Sequence, residues 1–101
     1  MTEEQFKSIT NWQNETFGKA TPLSKLAHLS EEIIELEYDL DHKAPDKRLE
    51  FADCFILLFG AAASDGMSYQ DISDAIDEKM VINMGREWGT PKENGVVNHI
   101  R

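Results

Sequence analysis

Apolar residues recur at three- and four-residue spacings through most of the chain, the period of an amphipathic helix. The clearest run lies between Leu23 and Asp41, where Leu26, Leu29, Ile33, Leu36 and Leu40 build one stripe. Ahead of it, Phe6, Ile9, Trp12 or Gln13, and Phe17 form another stripe that stops at Gly18. Thr2-Glu3-Glu4-Gln5 has the form of a capping box and opens that first helix. Thr21 and Pro22 supply an N-cap and a first-position proline for the second.

A loop from Asp41 to Pro45 leads to a third helix carrying Leu49, Phe51, Phe55, Ile56, Leu58, Phe59 and Ala61-Ala62-Ala63. Past Asp53 this segment is apolar on every side, so it must be surrounded by protein. A four-helix monomer can hardly cover it, and a homodimer or homotetramer is therefore expected. Asp65-Gly66 gives a glycine C-cap. Ser68 then starts a fourth helix running through Ile72, Ala75, Ile76, Met80 and Asn83. The predicted spans are 2–17, 22–41, 46–64 and 68–86. Residues 89–101 hold turn residues and a short Val96-Val97 run, which reads as an extended tail. With no other strand-length alternation, the class is all-α: an oligomeric four-helix bundle with a C-terminal tail.

Composition narrows the partners. At 101 residues the chain makes one domain with a modest core. A formal net charge of -9 excludes the clustered-basic surface that a DNA or RNA polymer requires. The single Cys54 allows no internal disulfide and reads as a small buried apolar residue. The polar first twenty residues do not resemble a secretory signal, and the apolar run Cys54 to Ala63 is too short to span a bilayer. A cytoplasmic protein without membrane contact is expected.

The polar positions within the stripes carry the chemistry. His28, Glu32, Glu35 and Asp39 share one face of the second helix, beside the apolar stripe. Glu32 and Glu35 stand roughly 5–6 Å apart at Cβ, close enough to reach one cation together. Glu50 and Asp53 repeat the spacing at the head of the apolar third helix. No basic residue follows Glu32, Glu35 or Asp53 one turn on, where an ion pair would form. Two like charges 4 Å apart repel by roughly 4 kcal/mol at an effective dielectric near 20, so converging carboxylates call for a counter-cation. An all-oxygen set suits Mg²⁺, with Mn²⁺ as a substitute, rather than zinc. On the fourth helix, Lys79, Asn83 and Arg86 share a face whose ammonium, amide and guanidinium suit phosphate oxygens.

Glu31-Glu32-Ile33-Ile34-Glu35, then Glu50-Phe51-Ala52-Asp53, then Lys79-x-x-x-Asn83-x-x-Arg86 resembles the motif set of the MazG-like all-α NTP pyrophosphatase superfamily. The opening, with Thr10-x-Trp12-Gln13 and Thr16-Phe17 before Thr21-Pro22-Leu23, is similar to its small dATP/dGTP pyrophosphohydrolase branch, which includes phage proteins. The resemblance implies hydrolysis of a nucleoside triphosphate between its α and β phosphates. It makes Glu32, Glu35, Glu50 and Asp53 the metal ligands, with Glu31 orienting water or an outer ligand, and Lys79, Asn83 and Arg86 the triphosphate holders. Trp12, Phe17 and Trp88 could stack on a base, and Gln13, Asn14 or His28 could read its edge. Two other readings compete. One is a non-catalytic acidic helical-bundle regulator with solvent-facing glutamates; the other keeps the chemistry but takes phosphoribosyl-ATP or a modified nucleotide.

Overall fold

The computed structural model describes residues 1–18 and 20–101. Four helices follow one another: α1 (Glu3–Phe17), α2 (Pro22–Asp41), α3 (Arg48–Ser64) and α4 (Tyr69–Met84). The capping box forms, with Thr2 Oγ1 accepting from Gln5 N at 3.1 Å and Gln5 Oε1 accepting from Thr2 N at 3.0 Å. Thr21 Oγ1 likewise takes Ser24 N at 3.1 Å, ahead of Pro22. In both helices the cap satisfies an orphan first-turn donor.

Two boundaries differ from expectation by two residues, and the starts of α1 and α4 by one. α3 begins at Arg48 rather than 46, because Asp46 folds forward instead. Its Oδ1 accepts Arg48 N at 3.0 Å and its Oδ2 meets the Arg48 guanidinium at 3.0 Å, a local turn that competes with helix. α4 stops at Met84 rather than 86, as Gly85 N shares the Val81 and Ile82 carbonyls and Arg86 N turns back to Asn83 O. Arg86 therefore lies past the helix end.

The chain divides into two compact units, 1–69 and 70–101. In the first, α3 packs along α2 and α1 packs on α3. Phe6, Leu29, Leu36, Leu57 and Ala61 are buried there. Each buried leucine contributes about 1.5–3 kcal/mol. Leu26, Ile33 and Leu40, the rest of the predicted stripe, stay at least 40% exposed, so only part of it faces this core. Around α3, Leu49, Phe51, Phe55 and Leu58 are also exposed, as expected of a helix apolar on all sides.

The second unit holds α4 and the residues after it. The tail has no helix or strand of its own, but it doubles back: Gly89 N donates to Asn98 O at 2.9 Å and Ile100 N to Glu87 O, around a Trp88–His99 bridge. Gly95, at φ +87°, supplies the left-handed residue in the turn. No single helix among the described residues is long and apolar enough to cross a membrane.

Candidate functional site

The short loop 42–47 returns α3 antiparallel along α2. Pairs then step along the two helices in opposite directions by the same three or four residues: Glu35 with Glu50, Glu32 with Asp53, His28 with Leu57, and Lys25 with Gly60. Three observations agree with this register. Lys25 Nζ reaches Gly60 O at 3.5 Å, the charge of Glu35 acts on Glu50, and His28, Glu32, Asp53 and Leu57 line one cleft. The two acidic pairs thus face each other across the α2–α3 seam.

Glu50 shows the strain of that arrangement. Its carboxyl is pushed above the usual range, first by the Asp39 carboxyl beside it, then by burial and by the charges of Asp39 and Glu35. The two carboxyls can hydrogen-bond only while one holds a proton. Otherwise Glu50 Oε2 is buried with no donor. The Cys54 thiol is pushed up too, by burial first and then by Glu32, Asp53 and Glu50.

The cleft beside Glu32 and Asp53 encloses about 160 Å³ and is walled by Trp12, Phe17, His28, Ile56 and Leu57. Trp12 and Phe17 meet edge to face at 5.3 Å, and Phe17 meets His28 in the same way at 6.1 Å. His28 Nε2 lies 3.5 Å from Glu32 Oε1, so the imidazole joins the aromatic wall to the first carboxylate. Gln13, not Trp12, is the inward residue of its turn: Gln13 is 1% exposed and Trp12 51%.

The predicted residues fall into two groups. Glu32, Glu35, Glu50 and Asp53 share the seam, although no three Asp, Glu, His or Cys groups among the described residues converge on one point as their side chains stand. Glu31 lies beside them, exposed on α2. Lys79, Asn83, Arg86 and Trp88 belong to the second unit, where Trp88 Nε1 donates to Asn83 O at 2.9 Å. Lys79 is exposed; Asn83 and Arg86 are half-buried.

Sequence reasoning passed over Lys25 and Ser64, and it placed Asp39 on the acidic face without giving it a role. Lys25 lies one turn before Leu29 on the buried row of α2, and a lysine in that row was the available signal.

A family model described as dATP/dGTP pyrophosphohydrolase matches residues 5–101. The chain belongs to that family. This dATP/dGTP pyrophosphohydrolase family member is 38% identical, over 90 residues and 89% of its length, to the Eaa protein of Salmonella phage P22. It spans 27% of that relative's length. It also resembles a solved MazG-like pyrophosphohydrolase of cyanophage S-2L, bound to dGDP and three catalytic Mn²⁺ ions per active site. The TM-score is 0.80 with 30% identity, and the match covers 100% of this chain and 99% of that one. The fold is thus MazG-like, as the motifs implied.

Proposed function

We propose that the chain is a divalent-metal-dependent nucleoside triphosphate pyrophosphohydrolase. It would convert a purine deoxynucleoside triphosphate, dATP or dGTP, into the monophosphate and pyrophosphate by attack of water on the α-phosphate. The observation that carries this reading is the facing of two acidic pairs across one helix seam, with Glu50 Oε2 buried and without a donor. Family membership and the nucleotide and Mn²⁺ of the cyanophage structure support it.

The donor set fits a hard divalent cation. Glu32, Glu35, Glu50 and Asp53 offer only carboxylate oxygens, no ion pair between any of them and a lysine or arginine forms among the described residues, and a cation would satisfy the buried Glu50 Oε2 in its ionised form. Glu32, Glu35, Glu50 and Asp53 would hold Mg²⁺ or Mn²⁺. When bound, such ions neutralise phosphate charge and acidify water. Glu31 would orient the attacking water from beside Glu32. Lys79, Asn83 and Arg86 would donate to the phosphates and to the charge that grows on the pyrophosphate leaving group. Trp12, Phe17 and His28 would wall the base, and their faces exclude water from it.

The same reading includes a homo-oligomer. Phe55 is 57% exposed and Leu58 49%, and a groove of about 880 Å³ between α1 and α3 is lined by Ile9, Phe55 and Phe59. Apolar surface on that scale is hidden in stable proteins by another chain. A second copy is the partner we assign.

The test is pyrophosphate release from a panel of dNTPs and NTPs with Mg²⁺, Mn²⁺ or EDTA, on wild type and Glu35→Gln. Metal-dependent release lost in the variant is the expected result. No release from any nucleotide, by a chain that circular dichroism shows to be folded and light scattering to be assembled, would return the protein to the class of acidic interaction proteins.

A further inference from the structure

One turn beyond His28 and Leu57, away from the carboxylates, the same three helices enclose a second pocket of about 260 Å³. Its polar lining includes Thr10, Gln13, Asn14, Lys25 and Ser64. Lys25 is 6% exposed, yet no carboxylate pairs with it among the described residues. Its ammonium donates to Ser64 Oγ at 2.6 Å and to Gly60 O at 3.5 Å. An ammonium has three donors and no acceptor, so one hydrogen remains to be placed.

Gln13 complements it. Its Nε2 donates to Ile56 O at 2.9 Å, which fixes the amide and leaves the buried Oε1 with no donor. The amide lies over Gly60, where any Cβ would collide with it. A buried cation short of acceptors and a buried acceptor short of a donor are both costly to a folded chain. The pocket therefore offers one donor and one acceptor, both beside Gly60.

We infer that this pocket reads the edge of a 6-oxopurine: Lys25 donates to O6 and Gln13 Oε1 accepts N1–H. The inference rests on the proposed function, since it takes the seam carboxylates as the phosphate end. Glu32 and Lys25 are seven residues apart on α2, about 10 Å along the axis, and Asp53 and Gly60 are the same distance apart on α3. A nucleotide has about that reach from its α-phosphate to the far edge of its base. Trp12, Phe17 and His28 stand between the two ends and offer ring faces to the base. Guanine sets acceptors N7 and O6 beside N1–H, whereas adenine turns an amino donor toward the cation.

The experiment compares kcat/KM for dGTP, dITP, dATP and the 2-aminopurine deoxynucleoside triphosphate, which lacks only the 6-oxo group of guanine and its N1 proton. On wild type, dGTP and dITP should exceed the other two by about tenfold or more. In Lys25→Met, which keeps the apolar stem, the ratio of dGTP to 2-aminopurine should fall to within about threefold of one. Equal use of dGTP and 2-aminopurine by wild type would overturn the inference even if the variant fails to fold. So would a Lys25→Met variant that folds and keeps the ratio. Calorimetric binding of dGMP against dAMP reads the pocket without turnover. An inactive chain that still binds dGMP about tenfold tighter would sink the proposed activity and keep the subsite. An inactive chain that binds both alike would sink both.

Discussion

The two ends of the α1–α2–α3 groove solve opposite electrostatic problems with the same helices. At one end, Glu32, Glu35, Asp39, Glu50 and Asp53 crowd acceptors together, and Glu50 takes up a proton more readily than an isolated glutamate even with the Lys47 charge acting on it. At the other, two turns along each helix, Lys25 is a buried cation held by a hydroxyl and a carbonyl. The charges could have met each other, but the antiparallel register keeps them apart, with His28 and the aromatic wall between. In the proposed reading each end is a binding site, because a ligand group there would lower its energy.

The sharpest way to break this comparison is at Glu50. Glu50→Gln should lower metal-dependent pyrophosphate release at least a hundredfold, because it removes a proposed metal ligand from the acidic end. The metal-free variant should also melt higher than wild type, since the repulsion from Asp39 and Glu35 goes with the charge. Loss of activity together with loss of metal-free stability would mean that the carboxylate is structural. At the basic end the largest effect is steric. Gly60→Ala sets a methyl into the Gln13 amide and should cost about 1–3 kcal/mol in urea unfolding, against the roughly 1 kcal/mol gained by an ordinary mid-helix glycine replacement. A stabilised variant would show that the Gln13 amide swings away freely, and the edge-reading geometry would go with it.

These two ends were unequally legible in the sequence. The acidic end could be read from Glu32, Glu35, Glu50 and Asp53, because i,i+3 carboxylates without basic partners are a local pattern. Their placement along one helix seam needed only the antiparallel return that a short loop imposes. The basic end is a product of tertiary packing. Lys25 resembles any lysine in a first helical turn until Gly60 and Ser64 come from thirty-five and more residues away to cover it. Gln13 and Trp12 were equal candidates for the inward position. What decides between them is the space over Gly60, on another helix. The boundary errors have a similar origin. Asp46 and Gly85 each made a local hydrogen-bond choice that periodicity does not report, and the second choice moved Arg86 off the helical face assigned to it.

Smaller in effect, but a direct check on the acidic end, is the pH dependence of metal-free stability. Glu50 has a raised pKa in the folded chain, so its contribution is fully present below the unfolded carboxylate pKa. It is lost as pH rises through the raised folded value. Chemical unfolding across the carboxylate range in EDTA should therefore show a component that weakens toward neutral pH and is absent in Glu50→Gln. Mn²⁺ should invert the trend, because the ion binds the ionised form. A metal-free profile that is the same for wild type and variant would remove the Asp39–Glu50 conflict from the account.

The smallest expected effect probes whether the two ends are mechanically separate. Thr21 caps α2 one turn before Lys25, and Thr21→Ala should cost about 1 kcal/mol by freeing the Ser24 amide. Helix fraying decays within a turn or two of the damaged cap, which reaches Lys25 but falls short of Glu32, eleven residues from the cap. The variant should then lose part of its preference for dGTP over the 2-aminopurine nucleotide while its Mn²⁺ dependence for pyrophosphate release stays unchanged. If the metal dependence shifts by as much as the base preference, α2 is carrying the two ends as one rigid unit. The division drawn along the groove would then describe its chemistry and not its mechanics.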